Sequence, residues 1–302
     1  MCCKDVCVRG RKGRIMMEQI KIYGFADEAG SSMDKQIAAM KRNGLSGLEI
    51  RSVESGNAVD MSLEEAKELK KRLDGEGLVV WSMGSPIGKI DIVKDDFDAH
   101  MERYRRALEV ANVLGAKNLR MFSFYIPQGQ DPAVYKDEVF ARLSRLVEEA
   151  KGSGVQLCHE NEKGIYGDMA VRCLEILEAF PEIRCVFDPA NFIQCGQDTM
   201  EAWKMLKKYT YYMHIKDALA NGSVVPAGCG IGNLKEITAD FIAAGGCHFS
   251  MEPHLTRFEG LSELERKEQT SKIGHTYVYE SADDAFDAAC EAFRNVVKAC
   301  GR

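Results

Sequence analysis

The sequence lacks the features that mark several protein classes. No apolar run approaches the roughly 20 residues that cross a lipid bilayer, so no membrane span is expected. With a formal net charge of -6, the chain has no basic excess through which to bind nucleic acid. The N-terminal stretch lacks the apolar core of a signal peptide. We therefore expect a cytoplasmic protein that binds neither membranes nor nucleic acids.

The cysteines also lack the pattern of a disulfide framework. There are 11, an odd number, mostly scattered singly, as is typical of reduced thiols in an intracellular protein. Cys2, Cys3 and Cys7 lie in a basic N-terminal stretch without histidine partners. We interpret residues 1–18 as a disordered or non-native extension and assign residues 19–302 to one folded domain.

Short β-rich runs alternate with longer amphipathic stretches along this domain. The predicted strands are 20–27, 47–53, 78–84, 118–125, 155–161, 184–189, 211–217 and 247–254. The predicted helices are 33–43, 62–76, 95–114, 132–151, 168–180, 199–208, 234–244 and 283–299. Ser62 and Glu65 have the spacing of a capping box at the start of the second helix.

Strict alternation of strand and helix predicts a parallel sheet, and eight units predict a closed (β/α)8 TIM barrel of the α/β class. An open doubly wound sheet is the structural alternative. It would usually carry a phosphate-binding glycine fingerprint after the first strand, where the sequence reads GFADEAG. Gly228, Gly230 and Gly232 resemble part of such a fingerprint, but no predicted strand directly precedes them.

Ligand-type side chains follow one another at the ends of the late strands. In a parallel barrel the active site lies at the carboxyl ends of the strands, and Glu160, Asp188, His214 and Glu252 fall at or near the ends of predicted strands five to eight. Because side chains alternate along a strand, all four can point inward while apolar neighbours face the helices. Three converging carboxylates repel each other unless a cation neutralises them. The sequence therefore predicts one divalent cation, with Mn²⁺ favoured by the mostly oxygen donor set and Mg²⁺, Co²⁺ or Zn²⁺ as alternatives.

Further polar residues lie near this expected site. His254 shares the parity of Glu252 one step further out, where we expect it to contact substrate. Glu49 and Arg51 share the inward face of strand two and could either hold substrate hydroxyls or pair with each other. Arg257 is a loop cation that could meet an acidic group of a substrate or remain a solvated surface charge.

These residues belong to motifs that resemble the xylose isomerase-like TIM-barrel superfamily, specifically its sugar phosphate isomerase/epimerase branch. The motifs are Glu160-Asn161, FDPANF (187–192), HIKDA (214–218), PAGCGIGN (226–233) and SMEPH (250–254). Their order and spacing extend the resemblance over nearly all of residues 20–300.

Similarity to the tagatose/psicose 3-epimerases of this branch implies roles for individual residues. Glu160 and Glu252 would be both metal ligands and the catalytic acid/base pair, with Asp188 and His214 completing the metal site. Asn191 stands where those relatives have a histidine, and Lys216 follows His214 where they use an arginine. We expect Asn191 and Lys216 to bind substrate, and the resemblance also implies a homodimer as one oligomeric state.

The resulting hypothesis is a metal-dependent isomerase or epimerase of a sugar, keto-sugar or polyol. One glutamate would remove a proton next to a carbonyl, giving an enediolate, and the other would return a proton. In the alternative, the enediolate expels a substituent, and the protein is a lyase or dehydratase of a keto-inositol or 3-keto-glycoside. A third interpretation, a sugar-binding barrel without catalysis, is disfavoured by the complete four-ligand set. Endonuclease IV shares the fold but needs three zinc ions and more histidines than the 6 available here.

Overall fold

The fold is known from a computed structural model that describes residues 19–54, 56–258, 272–274 and 276–300. The extension predicted at residues 1–18 lies outside the described residues and stays a prediction. Eight parallel strands close into a barrel with the order β1-β8-β7-β6-β5-β4-β3-β2. Their bounds are β1 Lys21–Gly24, β2 Gly47–Ile50, β3 Val80–Gly84, β4 Asn118–Met121, β5 Gln156–Glu160, β6 Arg184–Phe187, β7 Thr210–Ile215 and β8 His248–Met251. The predicted (β/α)8 barrel is confirmed, and the open sheet is excluded because β1 pairs with both β2 and β8.

Helices surround the barrel and connect its strands. Their bounds are α1 Met33–Arg42, α2 Leu63–Gly75, α3 Phe97–Leu114, α4 Lys136–Ala150, α5 Ala170–Ala179, α6 Pro189–Gln194, α7 Thr199–Leu206, α8 Leu234–Ala243 and α9 Ala282–Cys300. The capping box before α2 is confirmed: Glu65 N–H donates to the Ser62 hydroxyl and Ser62 N–H donates to the Glu65 carboxylate. Among the described residues, no helix is both long and apolar enough to span a membrane.

The expected alternation of side chains along the strands is confirmed. Inside the barrel, Cys158, Val186 and Tyr212 pack against each other, and all three are buried. The intervening residues contribute to the larger core between sheet and helices: Leu157, Cys185, Phe187, Met213, Phe249 and Met251. The same parity that buries these apolar residues directs the polar residues at the strand ends toward the barrel axis.

A short helix, α6, lies in the connection after β6, where the sequence predicted no helix. Asp188 directly follows the strand, and its Oδ1 accepts the Asn191 backbone N–H at 2.9 Å, which makes it the N-cap of α6. Pro189 occupies the first turn, where its fixed φ and missing N–H are tolerated. The predicted strand 118–125 is also shorter, ending at Met121, because the chain turns away and Phe124 adopts a φ of 65°.

The glycine-rich loop has a function that its sequence pattern did not reveal. Gly228, Gly230 and Gly232 donate their backbone N–H groups to the carboxylate of Asp217, at 2.9, 3.0 and 3.0 Å. A Cβ on Gly230 would lie 2.3 Å from the Ala218 carbonyl oxygen, so this position requires glycine. The pattern that resembled a dinucleotide fingerprint therefore binds an internal carboxylate.

Candidate metal centre

The four predicted metal ligands meet at the carboxyl-terminal mouth of the barrel. Glu160 ends β5, His214 lies near the end of β7, and Asp188 and Glu252 directly follow β6 and β8. All four are buried, and one ligand atom from each lies within 4.8 Å of the others. His214 Nδ1 is 3.0 Å from Glu160 Oε1 and 3.2 Å from Glu252 Oε2.

The donor set and its spacing fit one divalent cation. An ion about 2.2 Å from each of its ligands keeps those ligand atoms within about 4.4 Å of each other, which is close to the spread of this cluster. Three carboxylates and one imidazole supply anionic oxygen donors and one neutral nitrogen donor. This mixed set suits Mn²⁺ or Zn²⁺ better than it suits metals that prefer oxygen donors alone. The cluster could therefore hold a metal through Glu160, Asp188, His214 and Glu252.

Glu49 lies behind His214 and orients its imidazole. Glu49 Oε2 is 3.1 Å from His214 Nε2, while its Oε1 accepts the Tyr212 hydroxyl at 2.7 Å and the Ser82 hydroxyl at 3.1 Å. These contacts leave Nδ1 of His214 facing the carboxylates, as in other sites where a carboxylate fixes a metal-binding histidine. Glu49 has no exposed surface, so this geometry favours an orienting role and does not support the expected contact with substrate.

Buried cations contact the ligand carboxylates, among them Lys216 and Arg120. Lys216 Nζ lies 2.8 Å from Asp188 Oδ2 and 3.3 Å from Glu252 Oε2. Arg120, on β4, lies 2.7 Å from Glu160 Oε2. Lys216 was expected at the site from its motif, whereas Arg120 was not, although an arginine on the inward parity of β4 was a usable signal.

Asn191 lies against the ligands rather than apart from them. Its Nδ2 donates to the Asn161 carbonyl oxygen at 2.9 Å and approaches Glu160 Oε1 at 3.3 Å. Asn161 in turn holds the backbone at Asp188, with its Oδ1 accepting the Asp188 N–H at 3.0 Å. These amides fix the relative positions of the ligands from β5 and β6.

A second network occupies the side of the mouth formed by β1 and β2. The Arg51 guanidinium forms two hydrogen bonds to Asp27, at 2.9 and 3.0 Å, and contacts Glu252 at 3.0 Å and Glu28 at 3.3 Å. His254 belongs to this network, since its backbone N–H donates to Glu28 at 2.7 Å. Glu28, Glu252 and His254 also lie close enough to hold a metal, but Arg51 already supplies a permanent positive charge there.

The structure also gives the positions of Arg51 and Arg257, two residues that the sequence placed near the site. Arg51 pairs with Asp27 and Glu28, so the alternative that it pairs with Glu49 is wrong. Arg257 is exposed and lines a separate surface cavity beside Lys35 and Phe258. The structure therefore does not bring Arg257 to the metal centre.

Burial and neighbouring charge shift the pKa values of the site in opposite directions. Burial disfavours the imidazolium of His214, but Glu160, Glu49 and Glu252 together raise its pKa well above the usual value. Burial raises the pKa of Asp188 to about 6 although Lys216 lies beside it. Burial also raises the pKa of Glu28 to about 8, against the influence of Arg51. The mouth thus holds more carboxyl groups than its fixed cations can neutralise.

The family of the chain follows from comparison with known proteins. A family model described as xylose isomerase-like TIM barrel matches residues 37–272. The chain belongs to this family. The resemblance proposed from its motifs is therefore confirmed. A search of curated protein sequences found no match to the chain.

Solved structures with the same fold share little sequence identity with this family member. The IOLI protein, crystallised with a zinc atom, has a TM-score of 0.69 and 16% identity, with 92% of this chain and 98% of that chain covered. A D-tagatose 3-epimerase-like protein has a TM-score of 0.67 and 16% identity, covering 92% and 99%. The probable 3-DHS dehydratase AsbF from Bacillus anthracis has a TM-score of 0.67 and 17% identity, covering 91% and 99%. Identities this low establish similarity of fold alone.

Proposed function

We propose that this protein is a divalent-metal-dependent enzyme that isomerises or epimerises a sugar, keto-sugar or polyol. The observation that carries the proposal is the convergence of Glu160, Asp188, His214 and Glu252 within 4.8 Å at the barrel mouth. Mn²⁺ is our first choice of metal, and the IOLI protein, which has a similar fold and was crystallised with a zinc atom, supports metal binding by this fold. The bound cation would act as a Lewis acid that polarises the substrate carbonyl.

Glu160 and Glu252 are the acid/base pair of this proposal. Glu160 comes from β5 and is held by Arg120, whereas Glu252 follows β8 and is held by Arg51 and Lys216. Each carboxylate therefore has a fixed orientation, and proton removal and return are assigned to different strands. Burial alone would raise the pKa of both carboxyls, but neighbouring positive charges outweigh it, lowering the pKa of Glu160 and holding that of Glu252 well below its usual value, so either carboxylate can accept a proton at neutral pH.

Lys216 and Asn191 complete the proposed chemistry. The ammonium of Lys216 lies between Asp188 and Glu252, where it can stabilise negative charge that develops on a substrate oxygen. Asn191 keeps Glu160 in place through its amide. The proposed partner is a small carbohydrate substrate, with a homodimer as one oligomeric state and with neither nucleic acid nor membrane as a partner.

The test is proton exchange with solvent. Purified protein supplied with Mn²⁺ is incubated with a panel of aldoses and ketoses in D₂O, and deuterium entering the carbon next to the carbonyl is followed by NMR. Glu160→Gln and Glu252→Gln should each lower the exchange rate by about 10²–10⁴-fold. Glu68→Gln, the same change at an exposed helix position, is the matched control. If both site variants retain the wild-type rate while binding metal, the acid/base assignment is wrong.

A second candidate is elimination at the same site. Elimination needs an acid for the leaving group next to the base, and Lys216 lies 3.3 Å from Glu252. The similar fold of a probable dehydratase gives this candidate further support. Keto-inositol and 3-keto-glycoside substrates separate the two: loss of water or of the glycosidic substituent identifies a lyase, whereas deuterium exchange with recovery of an isomer identifies an isomerase.

A further inference from the structure

A cavity of about 560 Å³ lies on the same face of the barrel as the metal centre. This volume falls within the range of about 300–1,000 Å³ typical of small-molecule sites. The loops that follow β5, β6 and β7 form most of its wall, and Lys272 forms the rest. We call this cavity the Lys163 pocket; its lining includes Lys163, Asp168, Gln194, Asn221, Gly222 and Lys272.

The short helix α6 joins the pocket to the metal centre. Asp188 caps the beginning of α6, and Gln194 at its end lines the pocket. Six residues at 1.5 Å rise place these two points about 9 Å apart along the helix. A substrate that reaches both the metal centre and the pocket would have to span about this distance.

Hydrogen bonds fix the two lysines at the pocket wall. Lys163 Nζ donates to Gln194 Oε1 at 2.9 Å, and Gln194 Nε2 donates to the Gly222 carbonyl oxygen at 3.0 Å. Lys272 Nζ donates to the Asn221 carbonyl oxygen at 3.2 Å. Each ammonium group has three N–H donors, and the contacts with described residues use fewer than three of them on either lysine, which leaves donors for a ligand.

Acidic residues near the pocket are already neutralised. Glu162 forms ion pairs with both Lys163 and Lys89, each at 3.0 Å, so one carboxylate is shared by two ammonium groups. Asp168 pairs with Arg172. Among the described residues, the balance of charge around the cavity is positive, and an anionic group is the ligand that this balance favours.

Glu162 also connects the pocket electrostatically with the metal centre. The carboxylate of Glu162 interacts with the ammonium group of Lys216 as well as with those of Lys163 and Lys89. Lys216 itself contacts the metal ligands Asp188 and Glu252. The positive charges of the pocket thus continue those of the metal centre across a single carboxylate.

We infer that the Lys163 pocket binds the anionic end, a phosphate or carboxylate group, of a substrate whose carbonyl reacts at the metal centre. This inference rests on the proposed function for the location of the reacting carbonyl. The binding of an anion in the pocket can nevertheless be measured without turnover. Substrates that carry an anionic group several atoms from the carbonyl are the class that the two sites together would select.

The experiment measures binding of inorganic phosphate and of D-glucuronate by calorimetry, with D-glucose as the uncharged comparison. The double variant Lys163→Met/Lys272→Met should weaken binding of the preferred anion by about tenfold or more. Lys21→Met/Lys117→Met is the matched control, because it removes the same charge from exposed positions at the starts of β1 and β4, on the opposite face. Comparing the two anions tells whether phosphate or carboxylate is preferred.

A second variant tests the space rather than the charge. Ala220 is exposed and lines the pocket, so Ala220→Trp should fill it and weaken anion binding while leaving the lysines in place. The inference is overturned if wild-type protein binds neither anion, if it binds D-glucose as tightly as both anions, or if the pocket and control double variants bind alike. Repeating the titration after chelation of metal separates the two proposals, since pocket binding should persist even if the metal assignment fails.

Discussion

The two ends of the barrel interior are built from opposite kinds of side chain. At the carboxyl-terminal mouth, buried acids and bases face each other. The single carboxylate of Glu252, for example, contacts Arg51, His214 and Lys216. Toward the amino-terminal end, Trp81 stacks on Tyr23 with ring centroids 4.2 Å apart and lies 5.1 Å from the ring of His248. The carboxyl-terminal end thus contains more acidic than basic groups, and the amino-terminal end contains stacked aromatic rings.

The charged end serves the proposed metal site and lowers stability, whereas the aromatic end raises the stability of the fold. Buried charges are expensive to desolvate even when they are paired, whereas stacked aromatic rings contribute favourable burial and packing. Tyr212 lies at the boundary: its ring packs edge-to-face on Trp81 at 4.8 Å, and its hydroxyl donates to Glu49. Changes below Tyr212 should therefore act mainly on stability, and changes above it mainly on metal binding.

The largest effect is expected from Trp81→Ala, which removes the centre of the aromatic stack. Loss of a buried tryptophan side chain lowers the free energy of unfolding by about 3–5 kcal/mol. Because Trp81 is only half-buried, we expect a decrease of about 3 kcal/mol. Denaturant unfolding measures the change, and Mn²⁺ affinity should stay within about twofold of wild type. Trp81→Phe, which keeps one stacked ring, should lose less. A large fall in metal affinity without a loss of stability would reverse the proposed division.

A smaller effect is expected from Glu49→Gln, which tests the boundary from above. The neutral amide that replaces the carboxylate is a weaker acceptor for the His214 Nε2–H. The imidazole therefore loses part of its orientation and basicity. Metal affinity should fall by about 10–100-fold, as for other residues that support a metal ligand. Tyr212→Phe, which removes one hydrogen bond to Glu49 but keeps the ring, should produce a smaller loss. Equal affinity of wild-type protein and Glu49→Gln would leave Glu49 without an orienting role.

The four ligands and the barrel were predictable because both depend on local periodicity. Alternation of strand and helix set the fold, and the parity of each strand placed Glu160, His214 and Glu252 inward. Partners that come from distant strands carry no such signal. Arg51, after β2, meets Glu252, after β8, only because barrel closure places both strands beside β1. Glu49 was assigned to the correct face, but its depth below His214 is set by the stagger between strands, which a single sequence does not reveal.

A dependence of metal affinity on pH is also expected, and it should be confined to the charged end. Carboxylate and imidazole ligands bind metal only when deprotonated, so binding releases protons. Because the pKa of His214 is raised, its proton must be displaced at neutral pH, and Asp188 begins to protonate as the pH falls through about 6. Both effects have the same sign: affinity rises with pH, by about tenfold per unit for each proton displaced.

Calorimetric titration of Mn²⁺ between pH 6 and pH 8, in buffers of different ionisation enthalpy, counts the released protons. Asp188→Asn should bind more weakly but with a flatter pH dependence near pH 6, since its amide does not titrate. Trp81→Ala should keep the wild-type slope, because the aromatic end contributes none of the displaced protons. A slope that changes in Trp81→Ala and not in Asp188→Asn would show that the ends of the barrel are coupled through Tyr212 more strongly than their separate chemistry implies.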